Sequence, residues 1–369
     1  MTTMHDDGGV AERLRGWLHS RLPGADDVVV EGLDRVTFGH SAEMMVLTIV
    51  VRRGADEERH DAVLRLRPTP PALLEPYDLP RQYRILKALA DTAVRVPRVM
   101  WLDASGEVLG RPFLIMERVA GTVYEMDVPQ GDDVTPARIR RMCESLAEQL
   151  AAIHSVDLDA TGLRELDDPA THLEREIEHW AGEMHRVQRG PLPALERLLQ
   201  TLRDTVPAPS PRVTLVHGDA KPGNFAFVGD EVSAVFDWEM TTVGDPLTDI
   251  GWMELLWMQP VGLTSHENAL SIDEFIAHYE AVSGVTVENR PWYRAFHAYK
   301  MAVICLIGAM LFDEGRSDDM KLVLAAAGTH LLTQVGLADL GVTEQIEAGP
   351  VDIRPERLAE VTSLEPTVP

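Results

Sequence analysis

One stretch limits what this chain can become: His217-Gly218-Asp219-Ala220-Lys221-Pro222-Gly223-Asn224, with Asp237 following in Phe236-Asp237-Trp238. A short apolar run, VTLV, leads into it, so a strand delivers His217 and Asp219 to a turn. Pro222 and Gly223 bend that turn and aim Asn224 back towards Asp219. The apolar runs NFAFV and VSAVFDW, joined by Gly229-Asp230, read as a hairpin that returns Asp237 to the same place. The Asn224 amide and the Asp237 carboxylate are hard oxygen donors of the kind that suits Mg²⁺ held partly by phosphate oxygens. Asp219 is placed to accept a proton from an attacking hydroxyl. Positioning, metal neutralisation and a base near the nucleophile are what phosphoryl transfer needs. Asp, Asn, Gly and Pro are ordinary turn residues, but turn chemistry alone does not fix this spacing.

Upstream, the periodicity predicts a helix over 10–22 with Leu14, Trp17, Leu18 and Leu22 on one side. MMVLTIVVRR and AVLRLR read as two strands, with the charged GADEERHD as the turn between them. A helix follows over 79–91, then strands in VPRVMWLD and PFLIMERV on either side of Ser105-Gly106. After Gly121 the pattern becomes helical. Thr135-Pro136 supplies a cap and a first-turn proline, and Ile139, Met142, Cys143, Leu146, Leu150 and Ile153 keep the helical spacing. Further helices are expected near 170–188, 192–205 and through 247–338, whereas the last 30 residues lack strong periodicity. The layout is α+β, with a small β-rich lobe over 1–118 and a larger helical lobe over 119–369. A ligand would sit in the cleft between them.

Composition narrows the functional classes. Asp and Glu outnumber Lys and Arg by 59 to 34, a formal net charge of −25, which argues against nucleic acid or an anionic membrane as partner. The longest apolar run, 302–312, is short for a membrane span, and the start lacks the basic and apolar regions of a secretory signal. With only two cysteines, Cys143 and Cys305, a disulfide framework is not expected, and a cytoplasmic location fits. The histidines are scattered without metal-ligand spacing. His154 reads as a helix-end histidine with a structural hydrogen bond. Trp252, Trp257 and Trp292 read as helix-packing residues, and Glu174, Glu176, Glu178 and Glu183 as a solvated face.

The pattern H-x-D-x-K-P-x-N with a downstream aspartate resembles the catalytic loop and metal-binding motif of protein kinases. Gly218 in place of arginine, and Asp-Trp-Glu in place of Asp-Phe-Gly, are similar to the aminoglycoside phosphotransferase and choline-kinase-like branch. VFDWEMTTVGDPLTDIGW resembles the group that includes kinase domains fused to some acyl-CoA dehydrogenases. The resemblance spans about residues 30–310, with its specificity at 214–252. It implies a protein-kinase-like two-lobed fold, a small antiparallel sheet beside a mainly helical lobe. The activity it implies is ATP- and Mg²⁺-dependent, with GTP left open as donor, and moves the γ-phosphate to a hydroxyl of a small molecule. An aminoglycoside-like acceptor, or a hydroxy-acid or hydroxyacyl-CoA-like one, would fit. Carried over by position, Asp219 is the base, Lys221 lies near the transferred phosphate, and Asn224 and Asp237 hold the metal. His217 and Asp249 brace the loop, Asp249 by accepting backbone N–H groups. Ser41, in Phe38-Gly39-His40-Ser41-Ala42-Glu43, would cover phosphate. Arg65 takes the place of the strand lysine, while Met116, Glu117 and Val119 form the adenine hinge.

Three departures support a second reading, a pseudokinase-like nucleotide- or metabolite-binding module: a single glycine in the phosphate-covering loop, Arg65 for lysine, and Gln82 where an ion-pairing glutamate would stand. The intact Asp219, Asn224 and Asp237 favour the enzyme. A metal-dependent hydrolase is disfavoured because no second histidine or carboxylate cluster has suitable spacing. A protein substrate is disfavoured because Gly244-Asp245-Pro246 arrives seven residues after Asp237, leaving no room for an activation segment. Oligomeric state is not legible in the sequence.

Overall fold

A computed structural model describes residues 7–36, 43–70, 72–131, 134–351 and 353–364. In chain order the elements are α1 (Asp7–His19), β1 (Asp27–Val36), β2 (Glu43–Arg53), β3 (Asp56–Leu66), α2 (Leu79–Leu89), β4 (Val99–Asp103), β5 (Phe113–Glu117) and β6 (Thr122–Val123). They continue with α3 (Pro136–His154), α4 (His172–Val187), α5 (Pro193–Asp204), β7 (Thr214–Val216), β8 (Phe225–Val228), β9 (Glu231–Val235) and β10 (Thr242–Gly244). The chain ends through α6 (Leu247–Trp257), α7 (Ile272–Ser283), α8 (Arg290–Asp313), α9 (Met320–Asp339) and α10 (Pro355–Leu364). Two compact units result: Met1–Tyr124 with Gly223–Met240, and Glu125–Pro222 with Thr241–Pro369.

The first unit is built on an antiparallel sheet of order β1-β2-β3-β5-β4. Successive side chains along β2 point to opposite faces, so Met45, Leu47, Ile49 and Val51 are buried together on one face. Val10, Leu14 and Leu18 recur every fourth residue on α1 and join the same core. Each such fully buried side chain is worth roughly 1.5–3 kcal/mol. The β2–β3 hairpin turns in two residues, with Gly54 at φ 58°. The sequence reading gave all of 54–61 to that turn. Residues 56–61 instead extend β3, and their charges lie in exposed ion pairs such as Arg53–Glu58 (3.2 Å) and Arg59–Glu31 (2.7 Å). A solvated strand end carries no apolar alternation to reveal it.

A second sheet of this unit, β6-β8-β9, explains why the units do not divide at 118/119. Thr122 and Val123 pair with Phe227 and Ala226, so both the segment to Tyr124 and the 223–240 hairpin join the first unit.

The second unit is mainly helical. Thr135 caps α3 by accepting the Arg138 N–H (3.2 Å), with Pro136 in the first turn. Its long central helix, α8, is almost wholly buried. By length and composition α8 and α9 could each cross a membrane, contrary to the sequence reading, but most of α8 is buried as a core helix while α9 is one-third buried. Helix α10 docks through Arg357, which is buried and donates to the Phe312 carbonyl (3.0 Å), and through the buried Val361. So few buried apolar positions make no clear period, which is why the sequence pattern does not predict the helix.

Helix α6 approaches α8 closely at Gly251. A Cβ there would lie 2.6 Å from Tyr293 Cβ and 2.9 Å from its carbonyl oxygen, and backbone cannot yield as a flexible side chain can. Gly251→Ala is therefore expected to destabilise the protein by about 1–3 kcal/mol. Urea unfolding should show a lower midpoint with an unchanged slope, and an unaltered midpoint would contradict this close approach.

Candidate active site

Strand β7 delivers His217, and its pairing with β10 (Val216 opposite Thr242) fixes where the chain leaves the sheet. Gly218 then takes φ 83°, a conformation that glycine adopts without strain. Asp249, in the first turn of α6, grips this corner. One carboxylate oxygen accepts the His217 N–H (2.7 Å) and the other the Gly218 N–H (2.8 Å). His154 Nε2 lies 3.0 Å from the first oxygen, and His154 Nδ1 lies 2.6 Å from the Tyr279 hydroxyl. The His154 and Asp249 side chains have no exposed surface. Burial alone would raise the Asp249 pKa, but the His154 bond and charge and the His217 contacts outweigh it, holding the carboxyl below its ordinary value. Asp249 accepts backbone N–H groups and His154 makes structural hydrogen bonds at a helix end, each as the sequence predicts.

Beyond the corner, the Asp219 N–H donates to His217 Nδ1 (3.2 Å). Its side chain meets α6 again, where Trp252 Nε1–H donates to Asp219 Oδ1 (2.8 Å). Lys300 of α8, 1% exposed, donates to the Gly218 carbonyl (2.7 Å). Burial lowers the pKa of this lysine, while Glu176, Asp219 and Asp249 counter that effect. Lys221 forms an ion pair with Glu125 (3.0 Å).

The first unit holds the other group of candidate residues. Arg65, on β3, is buried, and its Nη2 serves two carboxylates, Asp237 (2.7 Å) and Glu239 (2.9 Å). Its Nε–H donates to the Tyr77 hydroxyl (2.6 Å). Burial opposes the charge, yet Asp237, Tyr77 and Glu239 together raise the Arg65 pKa above its ordinary value. Asp237 has φ 66°, a left-handed conformation uncommon outside glycine and found most among Asn and Asp. The Phe236 N–H donates to the Asn224 carbonyl (2.8 Å), so the hairpin sets Asn224 and Asp237 at its same end.

The structure thus joins Arg65 to Asp237. The cation's ionic partners come from Asp237 and Glu239, not from α2. There Gln82 is buried, and its Nε2 has no hydrogen-bond partner among the described residues. At the hinge, the Glu117 N–H donates to Arg98 and the Arg118 N–H to Asp61, both at 2.9 Å, so those two donors are engaged with protein. Met116 is buried against Tyr77, Leu79 and Leu114, and Val119 is half-buried. Ser41 lies outside the described residues. Among the described residues, no group of three or more His, Cys, Asp or Glu side chains could hold a metal by itself.

Trp252, Lys300, Glu239 and Tyr77 were missed as members of these networks. Trp252 stands three residues after Asp249, on the same helix face, and that spacing was its signal. Lys300 is a lone cation amid AFHAYKMAVICL, which marks a buried charge with a task.

The sequence profile of the phosphotransferase enzyme family matches residues 48–296. Acyl-CoA dehydrogenase family member 10 of Mus musculus is 31% identical over 255 residues, 66% of this chain and 24% of that protein. The chain therefore spans about a quarter of that relative's length. A crystal structure from Ralstonia eutropha, of a protein named for the aminoglycoside phosphotransferases, superposes with a TM-score of 0.71 at 24% identity, covering 90% of this chain and 99% of that one. The aminoglycoside phosphotransferase APH(4)-Ia, solved with ADP and hygromycin B, superposes with a TM-score of 0.56 at 16% identity, covering 90% and 99%. These likenesses identify the kinase-like fold expected from the sequence.

Asp249→Asn would turn an acceptor towards donors and remove a buried charge. An expected loss of about 3–5 kcal/mol should appear in urea unfolding at neutral pH. Because the folded-state pKa is lowered, the carboxylate's contribution is complete above the ordinary aspartate value and lost as pH falls through the lower, folded-state one. The gap between wild type and variant should therefore narrow at strongly acid pH. A gap that widened there would contradict this assignment.

Proposed function

The chain belongs to the phosphotransferase enzyme family, and on that premise we propose that it moves the γ-phosphoryl group of ATP to a hydroxyl of a small molecule, with Asp219 as the base. The observation that carries this reading is the fixed loop: Asp249 holds the backbone at 217 and 218, and Trp252 holds the Asp219 carboxylate. Phosphoryl transfer asks a protein mainly for positioning and charge stabilisation. As the acceptor oxygen bonds to the γ-phosphorus, its proton passes to Asp219. The bond from that phosphorus to the bridging oxygen breaks, and ADP leaves with the electron pair.

Asn224 and Asp237 are the residues that would hold Mg²⁺, which when bound neutralises charge on the phosphates. The donors fit: both are hard oxygen ligands at one end of a hairpin. Arg65 would contact phosphate once it leaves Asp237, with Glu239 retaining part of its charge. Lys221, beside Glu125, would face the transferred group. Ser41, Met116, Glu117 and Val119 would complete the nucleotide contacts, with the Glu117 carbonyl and the Val119 N–H as the groups offered to adenine.

ADP in the APH(4)-Ia structure supports a nucleotide donor. For the acceptor, the relative named as an acyl-CoA dehydrogenase family member favours a hydroxy-acid or hydroxyacyl-CoA-like compound. The net charge of −25 instead suits a cationic, aminoglycoside-like one. A second reading, a binding module of low turnover, draws on the Gln82 Nε2, unpartnered among the described residues, and on Arg65 already occupied by Asp237.

Asp219→Asn should reduce ATP turnover, to water or to any acceptor found in a screen of hydroxyl compounds, by about 10²–10⁴-fold while ATP still binds. Asp237→Ala should abolish the Mg²⁺ dependence of that binding. Turnover unchanged in the first variant would show that the base is wrong. Undiminished ATP binding alongside negligible wild-type turnover would favour the binding module.

A further inference from the structure

Resting on the reading of Asp219 as the base, we infer that Trp252 is a positioning residue that fixes the orientation of the Asp219 carboxylate, and that Lys300 braces it. An indole has one donor and no acceptor, and when buried it needs a partner. Trp252 is 2% exposed, and its partner is Asp219 Oδ1, at 2.8 Å. A carboxylate turns about its last side-chain bond, so its two oxygens are interchangeable until one is held. Holding Oδ1 fixes the plane of the carboxylate, and with it the direction from which a hydroxyl must approach.

The indole is itself held. His297 meets it edge-on at 5.2 Å between ring centroids, and the Lys300 ammonium lies 4.7 Å from its centroid. That same ammonium donates to the carbonyl of Gly218, the residue before Asp219 (2.7 Å). One buried cation thus grips both the backbone that leads into Asp219 and the ring that holds its side chain. A cation over the ring draws electron density from it, which makes the N–H a stronger donor to a carboxylate. Burying an amine carries a desolvation cost that an apolar residue of similar length would not incur. The arrangement is economical in chain terms as well, because Asp249 and Trp252 lie three apart on α6. One helix face therefore sets the loop backbone with the first residue and the reactive side chain with the second.

Trp252→Phe keeps a ring against His297 and Lys300 and removes only the N–H. With Mg²⁺·ATP as the probe, phosphate release reads transfer of the γ-phosphoryl group to water. The expected result is a kcat lowered by about 10- to 100-fold, with KM for ATP unchanged and unfolding cooperative. A second readout needs no turnover. In protein labelled with ¹⁵N at tryptophan, the Trp252 indole resonance is the one absent from Trp252→Phe. It should move to higher field in Asp219→Ala, where the charged acceptor is gone. An unchanged kcat in folded Trp252→Phe, or an indole resonance indifferent to Asp219→Ala, would overturn the inference. Inactive Asp219→Asn beside fully active Trp252→Phe would overturn the inference alone. Active Asp219→Asn would overturn the base that it rests on.

Discussion

The second unit's candidate residues depend on one buried carboxylate. Asp249 accepts two consecutive backbone N–H groups, from His217 and Gly218, and meets the ring of His154. Without it, the buried His217 N–H and the half-buried Gly218 N–H at the end of β7 would lose this acceptor, a cost of about 1–3 kcal/mol for the buried one. The charge is tolerable in the interior because these partners converge on it. Neutral peptide donors and a histidine that itself leans on Tyr279 replace the water the carboxylate has lost. The same helix turn carries Trp252, so the anchoring of the loop and the aiming of Asp219 are mechanically one feature.

The first unit solves a different electrostatic problem. Arg65 is taken out of water and surrounded by Tyr77, Asp237 and Glu239. One guanidinium thus serves two carboxylates at once, through a single nitrogen. The left-handed backbone at Asp237 is held in the same corner, since strain of this kind persists where the surrounding structure overdetermines it.

Much of this was legible in the chain itself, for identifiable reasons. Strands β7, β8 and β9 announce themselves by short apolar runs bounded by Gly, Pro and Asp, so the positions of Asp219, Asn224 and Asp237 followed from turn chemistry. The bracing by Asp249 and His154 was legible from the family pattern and from the helix end. What escaped was contact between distant segments. Glu239 as the second partner of Arg65, and Lys300 beneath Gly218, are separated from their partners by 174 and 82 residues, and no local period encodes such pairs. The charged half of β3 and the docking of α10 escaped for a related reason: segments with so few buried apolar positions carry no hydrophobic rhythm.

The central claim, a family member whose Asn224 and Asp237 bind Mg²⁺ with a nucleotide, is met most directly by calorimetric titration of the purified protein with ATP, with and without Mg²⁺. The expected result is clear binding that strengthens when Mg²⁺ is present. No heat of binding at millimolar ATP, from protein shown to be folded, would contradict it.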